Sequence, residues 1–274
     1  MPDPDLHMLA DQEELAQLGH RLRSAGCRTT NLLVGNRRLA NAADAGLLRA
    51  THGESGSVIL FNDRGAQRVY FAQLSADTAV AALIACAPVF NDRTVADVTG
   101  REGQFEAFDD IFARAGFRSY KCFRRMSRRP AAVESVDSSA MRSLEPGADI
   151  GQVLSMIDAV FDPLAEFMPD EPELQALLHR GGILVESAPD GTLRGFLVHE
   201  TIGNTSLLRY VAVRPDARGR GIGGQLIARY LHDTARAVRH DLWVWDRNDR
   251  AIKQYIANGY AFTGQCNKIY RFEE

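Results

Sequence analysis

Apolar and polar positions follow two rhythms along this chain, and the switches between them mark its elements. Leu6, Leu9, Leu15 and Leu18 approximate one stripe of a helix over 5–24, which Gly26 stops. Residues 29–36 read as a short strand and 41–53 as a short helix before a turn. β-Branched and aromatic runs at 57–63 and 67–74 flank Asp63-Arg64-Gly65 and predict a hairpin. A small apolar helix (76–87), a strand (93–100), a helix (102–116) and an alternating strand (117–127) follow. Phe105, Phe108 and Phe112 share one helical face, so they read as core and not as an acyl-binding box.

Arg128-Arg129-Pro130 is the expected boundary between a domain over 1–130 and a second over 131–274. A first strand and a linker fit 131–149, and helices fit 149–161 and 171–182. Three strands follow at about 183–186, 193–201 and 206–213, punctuated by Pro189-Asp190-Gly191 and Gly203-Asn204. Then come a long helix (224–237), a strand (241–246), a helix (248–260) and one or two closing strands. The pattern is α+β.

Arg218-Gly219-Arg220-Gly221-Ile222-Gly223 stands where the third of these strands gives way to the long helix. Glycines let backbone N–H groups converge, and the unpaired N–H groups and dipole of a new helix favour an anion. The spacing fits neither G-K-[ST] nor G-x-G-x-x-G.

Composition narrows the field. The 274 residues are 45% hydrophobic and 24% charged, as in a globular protein, and the formal net charge of -3 argues against broad nucleic-acid binding. No apolar run reaches membrane-spanning length, and residues 1–14 lack a signal-peptide layout, so a cytoplasmic setting is expected. Cys27, Cys86, Cys122 and Cys266 are scattered without a C-x-x-C, which indicates neither a zinc site nor a redox dithiol.

The hexapeptide resembles the pyrophosphate loop of the GCN5-related N-acetyltransferases (GNAT), patterned [Gln/Arg]-x-x-Gly-x-[Gly/Ala], with Arg218, Gly221 and Gly223 in its fixed places. The preceding Val211-Ala212-Val213-Arg214-Pro215 is similar too. A second motif, Asn-x-x-Ala-x-x-x-Tyr-x-x-x-Gly-[Phe/Tyr], is matched by Asn248, Ala251, Tyr255, Gly259 and Tyr260. The resemblance is close over 131–274 and loose over 1–130. It implies a GNAT fold, a mixed central β-sheet flanked by helices, in a tandem arrangement where 1–130 is a degenerate GNAT-like domain with its cofactor site lost or altered, or else an accessory α+β domain. The loop after residue 74 there reads Ser-Ala-Asp-Thr, without a glycine or arginine pair.

By that resemblance the chain is an acetyl-coenzyme A-dependent N-acetyltransferase. A small-molecule primary amine attacks the thioester directly in a ternary complex, without metal. Cofactor contacts are expected from Val211, Val213, Arg218, Gly219, Arg220, Gly221, Ile222, Gly223, Gly224, Asn248 and Tyr255. Val211 and Val213 would serve through backbone lining the pantetheine arm. Tyr255 is the expected acid for the departing sulfur, since a tyrosine phenol keeps its proton at neutral pH. Glu200 is the first choice of general base and Glu186 the second. His199 and Asp246 lie near the same strands, and Arg209 could hold an acceptor carboxylate. Trp243 and Trp245 read as sheet packing. Two other functions stay open: a non-enzymatic coenzyme A-binding module, and a protein lysine or N-terminal acetyltransferase. The closing strand can pair within or between chains, which leaves a homodimer open.

Overall fold

The structure, a computed structural model, describes residues 5–32, 37–51, 53–130, 141–145 and 150–273. In order the elements are β1 (His7–Met8), α1 (Gln12–Ser24), β2 (Thr29–Thr30), α2 (Arg37–Asp44), β3 (Leu48–Ala50), β4 (Gly56–Asp63) and β5 (Ala66–Gln73). Then follow α3 (Ala76–Cys86), β6 (Thr94–Arg101), α4 (Glu106–Arg114), β7 (Phe117–Arg128), β8 (Arg142–Ser143), α5 (Gly151–Val160) and α6 (Glu171–His179). The last are β9 (Ile183–Ser187), β10 (Leu193–Ile202), β11 (Thr205–Val213), α7 (Ile222–Asp233), β12 (Arg239–Trp245), α8 (Asp249–Ala257) and β13 (Ala261–Phe272).

Chain contacts divide into two compact units: 1–122, 163–167 and 265–274 in the first, 123–162 and 168–264 in the second. In the first, the strand order begins β1-β3-β4-β5-β6-β13, with β2 on β5. Only β5 and β6 run parallel among its registered pairs, Gln67↔Thr94 and Arg68↔Val95. The turn between β4 and β5 places Arg64 and Gly65 at φ 41° and 90°, the left-handed pair that a tight hairpin needs. Phe105 and Phe112 are buried beside the partly buried Phe108, in one cluster with Phe71, Phe117 and Tyr270.

In the second unit the order is β7-β12-β11-β10-β9-β8. Here β11 and β12 are the parallel pair, with α7 as their crossover. One core lies between the sheet and α7, with Leu197, Leu208, Leu226, Leu242 and Tyr255. The other lies beneath α5 and α6, with Ile157, Leu178, Phe196, Val198 and Tyr210. The order hairpin, helix, parallel strand, helix, strand therefore occurs twice along the chain, β4 to β7 and β10 to β13.

Five expectations change. Over 41–53 the expected helix ends at Asp44, and Leu48–Ala50 form strand β3. The helix expected from residue 5 starts at Gln12, because Asp11 caps it by accepting from the Glu14 N–H at 2.9 Å. The preceding residues form β1. The strand expected over 29–36 is Thr29–Thr30, and residues 33–36 lie outside the described part. The first strand expected within 131–149 is β8, and the rest of that stretch is also outside the described residues except 141–145. The closing segment is a single strand of 12 residues.

Candidate active site

The sheet of the second unit opens at β11. Parallel pairing with β12 runs from Thr205↔Arg239 to Leu208↔Leu242, and no pairing follows among the described residues, although both strands continue. The cause lies one residue on. The β10–β11 register passes from His199↔Leu208 to Val198↔Tyr210, so Arg209 is an extra residue, a β-bulge. The bulge bends β11 and reverses its faces: Leu208 packs toward α7, Tyr210 toward α5. Beyond it, Val211 and Val213 keep their ladder with β10 on one side, opposite Leu197 and Gly195, and turn their other backbone edge to the gap.

The gap leads to the start of α7. Pro215–Ala217 form a single 3-10 turn, and Arg218 bonds back through Nε to the Val213 carbonyl at 3.2 Å. Gly219 and Gly221 have φ of 83° and 78°, a region costly for other residues. Gly221 is the N-cap of α7 and offers no side chain to the first-turn N–H groups. These donors, in Ile222, Gly223 and Gly224, have no intrahelical acceptor. A Cβ on Gly219 or Gly221 would meet nothing within 4 Å, so the loop faces open space. Arg218 and Arg220 are exposed there. Gly195 carries the approach of α7 to the sheet: a Cβ would stand 3.0 Å from Ile222 Cγ2 and 3.2 Å from the Ala212 carbonyl oxygen.

From the C-terminal end of β12 the chain turns into α8. Asn248 caps this helix, its side-chain oxygen accepting from the Ala251 N–H at 3.2 Å. Gln254 on α8 lies beside α7: a Cβ on Gly224 would stand 3.1 Å from its Nε2. The next residue, Tyr255, is buried in the α7-side core, with its ring edge-on to Tyr260 at 5.9 Å. Burial, with Tyr230 and Tyr255 nearby, pushes the Tyr260 phenol well up, and burial raises Tyr230 to about 12. Behind Tyr255 the core thus holds neutral phenols.

The two expected carboxylates are not brought together. Glu186 stands opposite Gly195, whereas Glu200 stands opposite Leu207, five residues further along β10, about 17 Å of strand. Glu186 is buried and pairs with Arg194 at 3.2 Å. Glu200 lies 3.6 Å from Arg209, whose Nη1 also meets Glu173 of α6 at 2.6 Å. Burial opposes the charge of Arg209, and Tyr210, Glu173 and Glu200 more than offset it. The bulge therefore carries a cation gripped by two carboxylates. Glu173 escaped the sequence reading, because an acidic residue in the first turn of a helix reads as a dipole partner.

Residues 179–261 match the family model of the acetyltransferase (GNAT) domain. A GCN5-related N-acetyltransferase from Sphaerobacter thermophilus superposes with a TM-score of 0.66 at 15% identity, over 98% of this chain and 96% of that one. The fold is that of the GNAT acetyltransferases. A GNAT-family acetyltransferase from Colwellia psychrerythraea gives 0.59 at 15% identity, covering 98% and 100%. A tandem GNAT protein from the clavulanic acid biosynthesis pathway gives 0.60 at 14%, covering 97% and 98%. No curated protein sequence matches the chain.

Within this GNAT frame the remaining expected residues fall apart. The His199 ring packs 5.0 Å from Tyr230, on the α7 side of β10, and burial depresses its pKa to about 4. Asp246 is exposed beyond the end of β12. Trp243 is half-buried with the Arg125 guanidinium over its ring at 5.9 Å, and Trp245 is exposed. Cys27, Cys86 and Cys266 are buried and in no disulfide, and burial raises Cys86 to about 11, away from nucleophilic character. Among the described residues no group of His, Cys, Asp or Glu is arranged to hold a metal, and no helix is long and apolar enough to cross a membrane.

Proposed function

We propose that the second unit is an acetyl-coenzyme A-dependent N-acetyltransferase for a small primary amine. The carrying observation is the opening between β11 and β12 at Leu208↔Leu242, beside a helix N-terminus that no side chain caps. The donors of Ile222, Gly223 and Gly224, with Arg218 and Arg220, would take the pyrophosphate. The gap-facing edge of Val211 and Val213, where the Val213 carbonyl also accepts from Arg218 Nε, would take the amide groups of the pantetheine arm, and Asn248 retains its side-chain NH2 for the same arm. The thioester would then lie toward the bulge, between Tyr255 on one side and the Glu173–Arg209–Glu200 cluster on the other.

The chemistry follows from these groups. Arg209 neutralises part of the charge on Glu200 and holds it on the α5–α6 side of the sheet, so Glu200 is the better-placed base of the two expected, directly or through water. Both carboxylates pair with an arginine, but Glu186 lies at the Gly195 end of β10, about 17 Å of strand from Glu200. Tyr255 would protonate the departing thiolate, and the amine's proton leaves on the opposite side. The buried thiols supply no acyl acceptor, which favours direct transfer.

The first unit supports a tandem reading in which one copy has lost the cofactor. Its α3 occupies the place of α7 in the repeated order. Yet Ser75 caps α3 by accepting from the Thr78 N–H, the position that Gly224 leaves open in α7, and Thr78 returns the bond to the Ser75 N–H in a capping box. The test is steady-state kinetics with acetyl-coenzyme A and a panel of amines, following thiol release and the mass of each amine. A ternary mechanism gives intersecting double-reciprocal lines. Cofactor binding without transfer to any amine would favour a non-enzymatic coenzyme A module.

A further inference from the structure

A cleft of about 680 Å³ lies at the far end of β10, β11 and α7 from the glycine loop. Gly203 and Asn204 of the β10–β11 turn line one side, and Asp233 and Thr234 at the end of α7 line the other. The 12 residues of α7 separate it from the loop by about 18 Å. Three arginines line it: Arg180, Arg229 and Arg236. Arg229 is spent on Asp233, with Nε 2.7 and 2.9 Å from the two carboxylate oxygens. Arg180 and Arg236 are exposed and have no ion pair among the described residues.

Two helix ends bear on this charge. α6 stops at His179 and α7 at Asp233, and each C-terminus contributes roughly half a negative charge. The α7 end is partly satisfied, since Thr234 donates from its backbone and from Oγ1 to the Tyr230 carbonyl at 3.0 and 2.6 Å. Two unneutralised guanidiniums against two half-charges leave the cleft positive.

A second, independent feature points the same way. His199 lines the cleft at 7% exposure, and neither ring nitrogen has a hydrogen-bond partner among the described residues. A buried imidazole is normally satisfied, and the neutral ring offers one donor and one acceptor.

We propose that this cleft is a second ligand site, for a small molecule bearing a phosphate or carboxylate group, with Arg180 and Arg236 as charged donors and His199 as a buried, unpartnered ring in its wall. Guanidiniums are suited to such oxyanions by their forked donors. The cavity is larger than one ion requires and falls in the range of small-molecule pockets.

The test reads the His199 ring by NMR in the full chain, assigned with His199→Phe. Inorganic phosphate is titrated in one arm and succinate in the other. The expected result is a saturable shift of the His199 ring signals in at least one arm, weakened about tenfold or more in an Arg180→Ser/Arg236→Ser double variant. Both arginines are exposed, so the double variant is expected to fold. Phosphate on the glycine loop, at the other end of α7, leaves this ring unmoved. A shift in the phosphate arm alone assigns a phosphate ligand, and in the succinate arm alone a carboxylate. No saturable shift in either arm, or one that the double variant preserves, overturns the proposal.

Discussion

Tyr255 is the residue at which packing and chemistry are hardest to separate, because one ring serves both. Tyr255→Phe keeps the contact with Tyr260 and removes only the hydroxyl. If the phenol protonates the thiolate, kcat falls about 100-fold while the KM for acetyl-coenzyme A stays within a factor of two or so, in line with general-acid contributions. Steady-state kinetics decide it, and an unchanged kcat would reduce Tyr255 to core. His199 carries a prediction of another kind. Burial lowers its pKa from 6.5 to about 4, while Asp233 pulls it up and His240 pushes it down. The unfolded chain therefore binds this proton more readily than the fold does. The associated stability is complete above pH 6.5 and drains away as pH falls toward 4. Its upper bound is about 3 kcal/mol, from 1.36 kcal/mol per pKa unit. Urea midpoints measured from pH 7 to 4 should fall less steeply in His199→Phe than in the parent. Equal slopes would refute the assignment.

At the scale of elements, the glycines of the second unit divide into those that serve the chain and those that serve a ligand. Gly195 lies under α7, and Gly195→Val drives a side chain into Ile222 and the Ala212 carbonyl, costing about 1–3 kcal/mol as overpacking does. Gly221 has open space where a Cβ would stand, so Gly221→Val meets only the strain of its φ of 78°, about 1–3 kcal/mol. Its distinguishing effect is on cofactor: Kd for coenzyme A rises about tenfold or more, as a relaxed loop turns its N–H groups away. Gly195→Val should leave the Kd of the folded fraction nearly unchanged. Calorimetric titration alongside urea unfolding separates the two, and equal effects on Kd would count against the loop as the pyrophosphate site. Such a loop is legible in sequence because its glycines and following helix are contiguous. The hairpin at Arg64-Gly65 and the α8 cap at Asn248 are legible for the same reason. The bulge at Arg209 is not: its sequence, Leu-Leu-Arg-Tyr-Val, reads as part of one unbroken strand, and only pairing with β10 shows one residue too many. Glu173 became visible with it, because α6 approaches Arg209 only in three dimensions.

At the scale of the molecule, the chain does not visit its two units once each. It returns to the first through 163–167 and again through 265–274. The second return is held by strand pairing, from Gln265↔Arg101 to Arg271↔Val95, and alternation in β13 cannot name its partner in advance. The first return is not a strand, and side chains of the first unit grip it. Arg68, at 1% exposure, bonds through Nε to Asp63 at 2.9 Å and through Nη2 to the carbonyls of Pro163 and Glu166 at 3.2 and 2.8 Å. Its guanidinium lies 3.9 Å from the centre of the Phe167 ring, and Arg38 adds a second cation at 4.9 Å. Arg68 is the third residue of β5, between Gln67 and Val69, and every residue of this strand is buried. Arg68→Met fits the volume but strands two carbonyls and takes one partner from a buried Asp63. We expect a loss of about 3–5 kcal/mol, the range for breaking a buried pair from one side. Arg38 also pairs with Asp63, at 2.8 Å, but its side chain is 22% exposed, and Arg38→Met should cost about 1 kcal/mol or less. Guanidinium unfolding of the two variants tests the difference. Equal losses would mean that Pro163–Phe167 is anchored by packing around Phe167, with the buried guanidinium contributing little beyond its own satisfaction.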